Sequence, residues 1–375
     1  MRANLRLVLL LVVAGSISGL LVVASPRAAA PPVPTQLTDE QFWKLSSSLS
    51  EDDGTFRSDN LLSNETQMQF VIPGLLQTAQ PGRVYMGVGP EQNFTYIAAL
   101  KPSMAFIVDI RHGNLDVQLM YKALFELSAN RSEFVSRLFS RKPMTGFTAQ
   151  TTAAELATAY SAAEPSQELF DANLKAVIDH LKTKHGFPLS AGDLDGIQWT
   201  LSNYFRFGLG ISYNSSNPVE APSIVGTAPV GGRGGGRGGG GGATYASLMM
   251  VNDGTGKERN YLASDENFLV VKNLQTKNLI VPVVGDFAGP KAIREVAKYL
   301  KSVDAMVSAF YLSNVEQYLV MDGKMPTFLA NVATLPIDGS SRFIRSGAGG
   351  GGGRAGVTQS SVGSMVEESQ PYAGR

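Results

Sequence analysis

Residues 84–100 read Val84-Tyr85-Met86-Gly87-Val88-Gly89-Pro90-Glu91-Gln92-Asn93-Phe94-Thr95-Tyr96-Ile97-Ala98-Ala99-Leu100. A short apolar run meets two glycines and a Pro-Glu-Gln-Asn turn, and a helical pattern starts at Asn93. The stretch predicts a buried strand, a tight turn and a helix. Glycines at the carboxyl end of a strand permit a sharp turn and close backbone approach by a ligand. The alternation recurs along the chain. Met104–Asp109 (MAFIVD) is a second apolar run, and its last residue lies 20 positions after Gly89. Asn278–Asp286 (NLIVPVVGD) and Ala305–Leu312 (AMVSAFYL) are the third and fourth. Leu115–Leu127, Ser132–Phe139 and Pro290–Ser302 carry helical periodicity between them. Continuous apolar strands alternating with helices predict a doubly wound α/β fold: a mostly parallel sheet with helices on both faces.

The flanks read differently. Arg2 and Arg6 precede an uncharged run, Leu7–Ala24, followed by Ala28-Ala29-Ala30. Residues 1–30 therefore read as a signal peptide or an uncleaved N-terminal anchor. The rest is expected to be exported (periplasmic or secreted), with membrane contact only through that segment if it stays attached. Residues 31–64 form an extension with one helix, opened by Thr38 and Gln41 as a capping box. The α/β domain spans 65–346, with a largely helical insertion at about 140–230 and a glycine-rich loop at 231–242. That loop holds ten Gly and two Arg, too few cations for an RNA contact. The glycine-rich tail 347–375 is expected to be disordered.

Composition excludes several chemistries. The 32 Lys+Arg balance 32 Asp+Glu, so no chain-wide basic footprint for nucleic acid exists. With no Cys there is no disulfide, thiolate nucleophile or zinc–thiolate site. Of the three His, His180 and His185 stand five apart, roughly 140° off one face of an α-helix. His112 reads as a surface residue, and no metal site is expected. Gly254-Thr255-Gly256-Lys257 lacks the first glycine and the Ser/Thr of a phosphate loop. Asp193-Leu194-Asp195-Gly196 is too short for a calcium loop. No G-x-S-x-G elbow stands at a strand end, so a serine hydrolase is unsupported.

The polar residues gather at strand ends. Gly87 and Gly89 close the first strand, Asp109 the second, Gly285-Asp286-Phe287 the third, and Ser313-Asn314 the fourth. In an open α/β sheet these ends line one crevice, where a small-molecule ligand binds. On these residues the chain resembles class I S-adenosylmethionine-dependent methyltransferases, with their Rossmann-like fold. The resemblance covers roughly residues 65–135 and 275–320. It implies that Gly87 and Gly89 approach the cofactor's amino-acid part, that Asp109 holds its ribose and that Asp286 lies near its adenine. It also implies that Asn314 and Glu91 face the reacting end as catalytic residues. Unlike that family, the chain has no third glycine in the motif, and Tyr85-Met86 replaces the preceding acid. The chain is also similar to a group of exported bacterial proteins sharing Ser58–Glu65, Gly87–Leu100 and Phe310–Leu319, a resemblance that implies no activity.

Each residue also has a structural reading. Asp109 can pair with Arg111, Asp286 and Glu91 can cap the helices that follow them, and Asn314 can satisfy backbone groups. The cluster Asp59-Asn60 with Ser63-Asn64-Glu65 is either a lid or a set of turns. Tyr121-Lys122 reads as packing plus a solvated charge. The sequence thus leaves two classes: a methyltransferase of unknown acceptor, or a non-catalytic exported binding domain that keeps the fold.

Overall fold

The computed structural model describes residues 32–56, 58–213, 215, 243–348 and 358–374. The expected signal segment, the loop at 231–242 and most of the glycine tract opening the tail lie outside these residues.

Six strands form one sheet: β1 (Val84–Gly87), β2 (Met104–Asp109), β3 (Ile280–Val284), β4 (Val307–Ser313), β5 (Arg342–Ala348) and β6 (Thr358–Ser364). Their order is β3-β2-β1-β4-β5-β6. The first five run parallel, and β6 pairs antiparallel with β5. Helices cover both faces, so the fold is α/β and doubly wound, as the continuous apolar runs predict. All residues of β1, β2 and β3 are buried. The order reverses between β1 and β4, and a crevice opens at that switch point beyond the carboxyl ends of the strands.

β3 is an edge strand, which is where Pro282 can sit without breaking a ladder. Its outer side is covered by the helix Asp39–Leu49. Ser46 Oγ donates to the Pro282 carbonyl at 2.6 Å, and Ser50 Oγ accepts from the Val284 amide at 3.0 Å. The Thr38–Gln41 capping box is present at the start of that helix. Between β2 and β3 lie seven α-helices among the described residues; Ala153–Ser161, Gln167–Asp179 and Ala191–Phe207 fall in the expected insertion.

The expected disorder of the tail is corrected. Thr358–Ser364 adds a strand, and Met365–Ser369 forms a helix with Met365 fully buried. The α/β unit therefore runs to residue 374 rather than ending at 346. The polar sequence of β6 hides it: an outer antiparallel strand is held by ladder hydrogen bonds and need not bury apolar side chains. Ion pairs from Arg345 to Glu316 and to Glu368 tie β5 to the helices Val315–Met321 and Met365–Ser369. Among the described residues, no helix is long and apolar enough to cross a membrane.

Candidate functional site

The loop after β1 is rigid for a reason visible in one side chain. Asn93 Nδ2 donates to the carbonyls of Val88, Gly89 and Pro90 at 2.9, 3.2 and 2.8 Å. Its Oδ1 accepts from Tyr85 Oη at 2.9 Å. A Cβ at Gly87 would stand 1.9 Å from that Oδ1, so glycine there makes room for Asn93. Gly87 is thus a packing glycine and does not line the crevice. Gly89 does line it, with φ of +78°, the left-handed conformation that glycine adopts without strain.

The crevice is a cavity of about 210 Å³. Gly89, Asp109, Asp286 and Asn314 all border it, so four of the six residues expected at the site share one cavity. The two acids are already engaged. Both Asp109 oxygens accept from the Arg111 guanidinium at 3.1 Å, and Oδ1 also takes the Arg111 amide at 3.0 Å. Asp286 Oδ1 accepts from the Ala288 amide at 2.9 Å, and its Oδ2 pairs with Lys324 at 3.0 Å. Capping of the helix Ala292–Ser302 falls to Glu51, whose Oε1 accepts from the Lys291 and Ala292 amides. Asn314 stands at the N-cap of the helix Val315–Met321 but makes no side-chain cap bond. Ser313 before it has φ of +52°, strain of a kind that collects at functional sites.

Glu91 does not cap its helix either. It points behind the loop, where its Oε1 accepts from the Ser63 amide at 3.3 Å. Burial pushes its carboxyl up to about 8. It borders a smaller cavity with Tyr245 and Tyr261, outside the main crevice.

Sequence reasoning left the strongest feature of the crevice undecided. Residues 54–56 and 58–65 fold over it as a wall. The Gly54 amide donates to Ile110 O at 2.9 Å, and Arg111 Nη1 donates to the Ser58 and Asp59 carbonyls. Phe56 meets Tyr318 edge-on at 5.0 Å. Glu65 closes the inner end and is 2 % exposed. Its Oε1 accepts from Tyr311 Oη at 2.6 Å and from Ser313 Oγ. Burial holds its carboxyl above the usual range, against those hydrogen bonds. The Ser346 hydroxyl stands beside the carboxyl, but Glu65 Oε2 makes no well-aligned hydrogen bond within the protein. Asn60 Oδ1 and Gln92 Oε1 are also buried without a partner. All three residues line the same cavity. Orphaned buried acceptors are rare in folded proteins, because each costs about 1–3 kcal/mol.

Two groups outside the crevice correct the reading of the histidines. A π turn at His180–Lys184, closed by the His185 amide donating to His180 O at 3.1 Å, brings residues five apart onto one face. His180 and His185 then meet Glu126 Oε2 at 2.8 and 2.9 Å. Lys122, expected to be solvated, is buried and pairs with Glu126 Oε1 at 2.7 Å. The second group is His112 with Asp116 and Asp193.

No curated protein matches the sequence. A family model described as a domain of unknown function (DUF7790) matches residues 61–187 and 244–374, more than half of the chain. The match includes β1 to β6, the inner part of the wall from residue 61 and every strand end around the crevice. The chain belongs to that family.

Proposed function

We propose that the crevice at the β1/β4 switch point binds S-adenosylmethionine, and that the protein is a methyltransferase of unknown acceptor. The observation that carries this reading is the set of orphaned acceptors, Asn60 Oδ1, Glu65 Oε2 and Gln92 Oε1, around one cavity. Acceptors without donors select a ligand rich in donors or positive charge. S-adenosylmethionine offers an α-ammonium, ribose hydroxyls and a sulfonium, and it supplies an electrophilic methyl group when bound. Glu65 would face the positive part, and Asn60 and Gln92 would accept from its N–H and O–H groups. Gly89 would allow close approach of the backbone. Asp109 would share the ribose hydroxyls with Arg111, and Asp286 with Phe287 would border the adenine. Asn314 would lie toward the acceptor; Glu91 would keep the wall in place through Ser63.

A specific observation favours a second reading, that of an exported binding domain without transfer chemistry. Arg111 already satisfies both oxygens of the acid that would hold the ribose. One comparison separates the two. S-adenosylmethionine, S-adenosylhomocysteine and adenosine are titrated into the full chain by calorimetry. The methyltransferase reading expects micromolar binding of the first two. No binding of either to folded protein up to millimolar ligand contradicts it, and binding without any transfer to a panel of acceptors leaves the second reading.

A further inference from the structure

The geometry points to a divalent metal site formed by His112, Asp116 and Asp193, separate from the crevice. His112 and Asp116 stand four apart on the helix His112–Leu127, so both project from one face. Asp193 comes from the first turn of the helix Ala191–Phe207, where its Oδ2 accepts from the Ser190 amide at 2.6 Å and fixes its direction. The three side chains each bring one ligand atom to within 4.8 Å of the others. Gly196 makes this approach possible, since a Cβ there would stand 2.1 Å from Asp116 Oδ2.

The local hydrogen bonds do not complete the cluster. His112 Nε2 lies 2.6 Å from Asp193 Oδ1, which accounts for that pair. Asp116 is 3 % exposed, and its Oδ1 has no partner. Asp53 adds a further carboxylate, taking the His112 amide at 2.6 Å. Asp116 and Asp193 thus lie beside one imidazole, with the Asp53 charge close enough to act on Asp116. The nearby Lys291 turns its Nζ to the Ser50 carbonyl, and Glu51 is spent on the backbone amides of residues 286, 291 and 292. A divalent cation would balance this surplus. One imidazole nitrogen with two carboxylate oxygens is a donor set suited to zinc, with an open position for water. His112 and Asp193 border a groove lined also by Trp43, Glu51 and Asp52, which gives the ion a path from solvent. That groove shares no lining residue with the crevice.

Zinc titration of the full chain against a chromophoric chelator near neutral pH tests the site. The expected result is one zinc per chain. Affinity should fall at least about tenfold in Asp116→Asn and in His112→Gln, and stay unchanged in the double variant His180→Gln/His185→Gln. Thermal unfolding without metal checks each fold; if Asp116→Asn does not fold, the half-exposed His112 decides. No zinc bound by folded wild type overturns the proposal. So does binding that survives His112→Gln, or that is lost only when His180 and His185 are replaced.

Discussion

Glu126 and Glu65 are both buried carboxylates in the same α/β unit, yet their oxygens are used differently. Glu126 Oε1 accepts from Lys122, and its Oε2 from His180, His185 and Lys184. His185 is held in turn by Asp39 through Nδ1 at 2.6 Å. Burial alone would raise the Glu126 carboxyl, but the hydrogen bonds from the two histidines and the Lys122 charge outweigh it and hold it below the usual range. Glu65 meets only hydroxyls, its second oxygen is orphaned, and burial wins. A closed polar cluster is a staple: it ties the N-terminal helix and the helical insertion to the core. An open one has capacity left for a ligand. The two behaviours follow from partner count, since burial is common to both.

The largest effect that tests this contrast is at the staple. Glu126→Gln keeps the volume, removes the charge and leaves buried Lys122 without a counter-charge. The expected loss is about 3–5 kcal/mol by denaturant unfolding. Adding Lys122→Met should recover much of it, and a loss under about 1 kcal/mol for Glu126→Gln alone would break the comparison. Asn93→Ala comes next. It strands Tyr85 Oη and unties three loop carbonyls, at an expected cost of at least about 2 kcal/mol, with weaker ligand binding in the crevice.

A drift with pH sharpens the contrast further. The Glu91 carboxyl is raised from 4.5 to about 8 by burial, so the native state holds a proton that the unfolded chain gives up. Stability contributed by Glu91 is therefore present below pH 4.5 and lost as pH rises to about 8. Glu126 acts with the opposite sign: its folded value lies below 4.5, so its contribution is present above that pH and lost in acid. Unfolding curves across this range should show Glu91→Gln flattening the loss toward pH 8 and Glu126→Gln flattening the loss in acid. The smallest change is expected for Glu65→Gln, which should stay within about 1 kcal/mol of wild type or exceed it, because it removes a buried carboxylate with too few partners.

The strands that carry the crevice were legible because their signal is local. VYMG, MAFIVD and IVPVV are apolar up to their carboxyl ends, where Gly87, Asp109 and, just past Val284, Gly285-Asp286 stand. β5 was not legible: Arg342 and Arg345 break its apolar run, and only the fold brings Glu316 and Glu368 to Arg345. The strand-end positions Gly89, Asp109, Asp286 and Asn314 could be read from spacing. The capture of Asp109 by Arg111 could be read as a possibility, since the two are neighbours in sequence. Glu65 could be placed in a polar cluster, but its partners Tyr311 and Ser313 lie more than 240 residues away. His180 and His185 were misread through a rule that holds for α-helices and fails at a π turn.

The most direct test of the central claim is calorimetric titration of S-adenosylmethionine into wild type and Glu65→Gln, near neutral pH. We expect micromolar binding in wild type. In Glu65→Gln, affinity should fall at least tenfold, about 1.4 kcal/mol. Equal affinity in the two proteins would contradict the account and remove Glu65 from any ligand site.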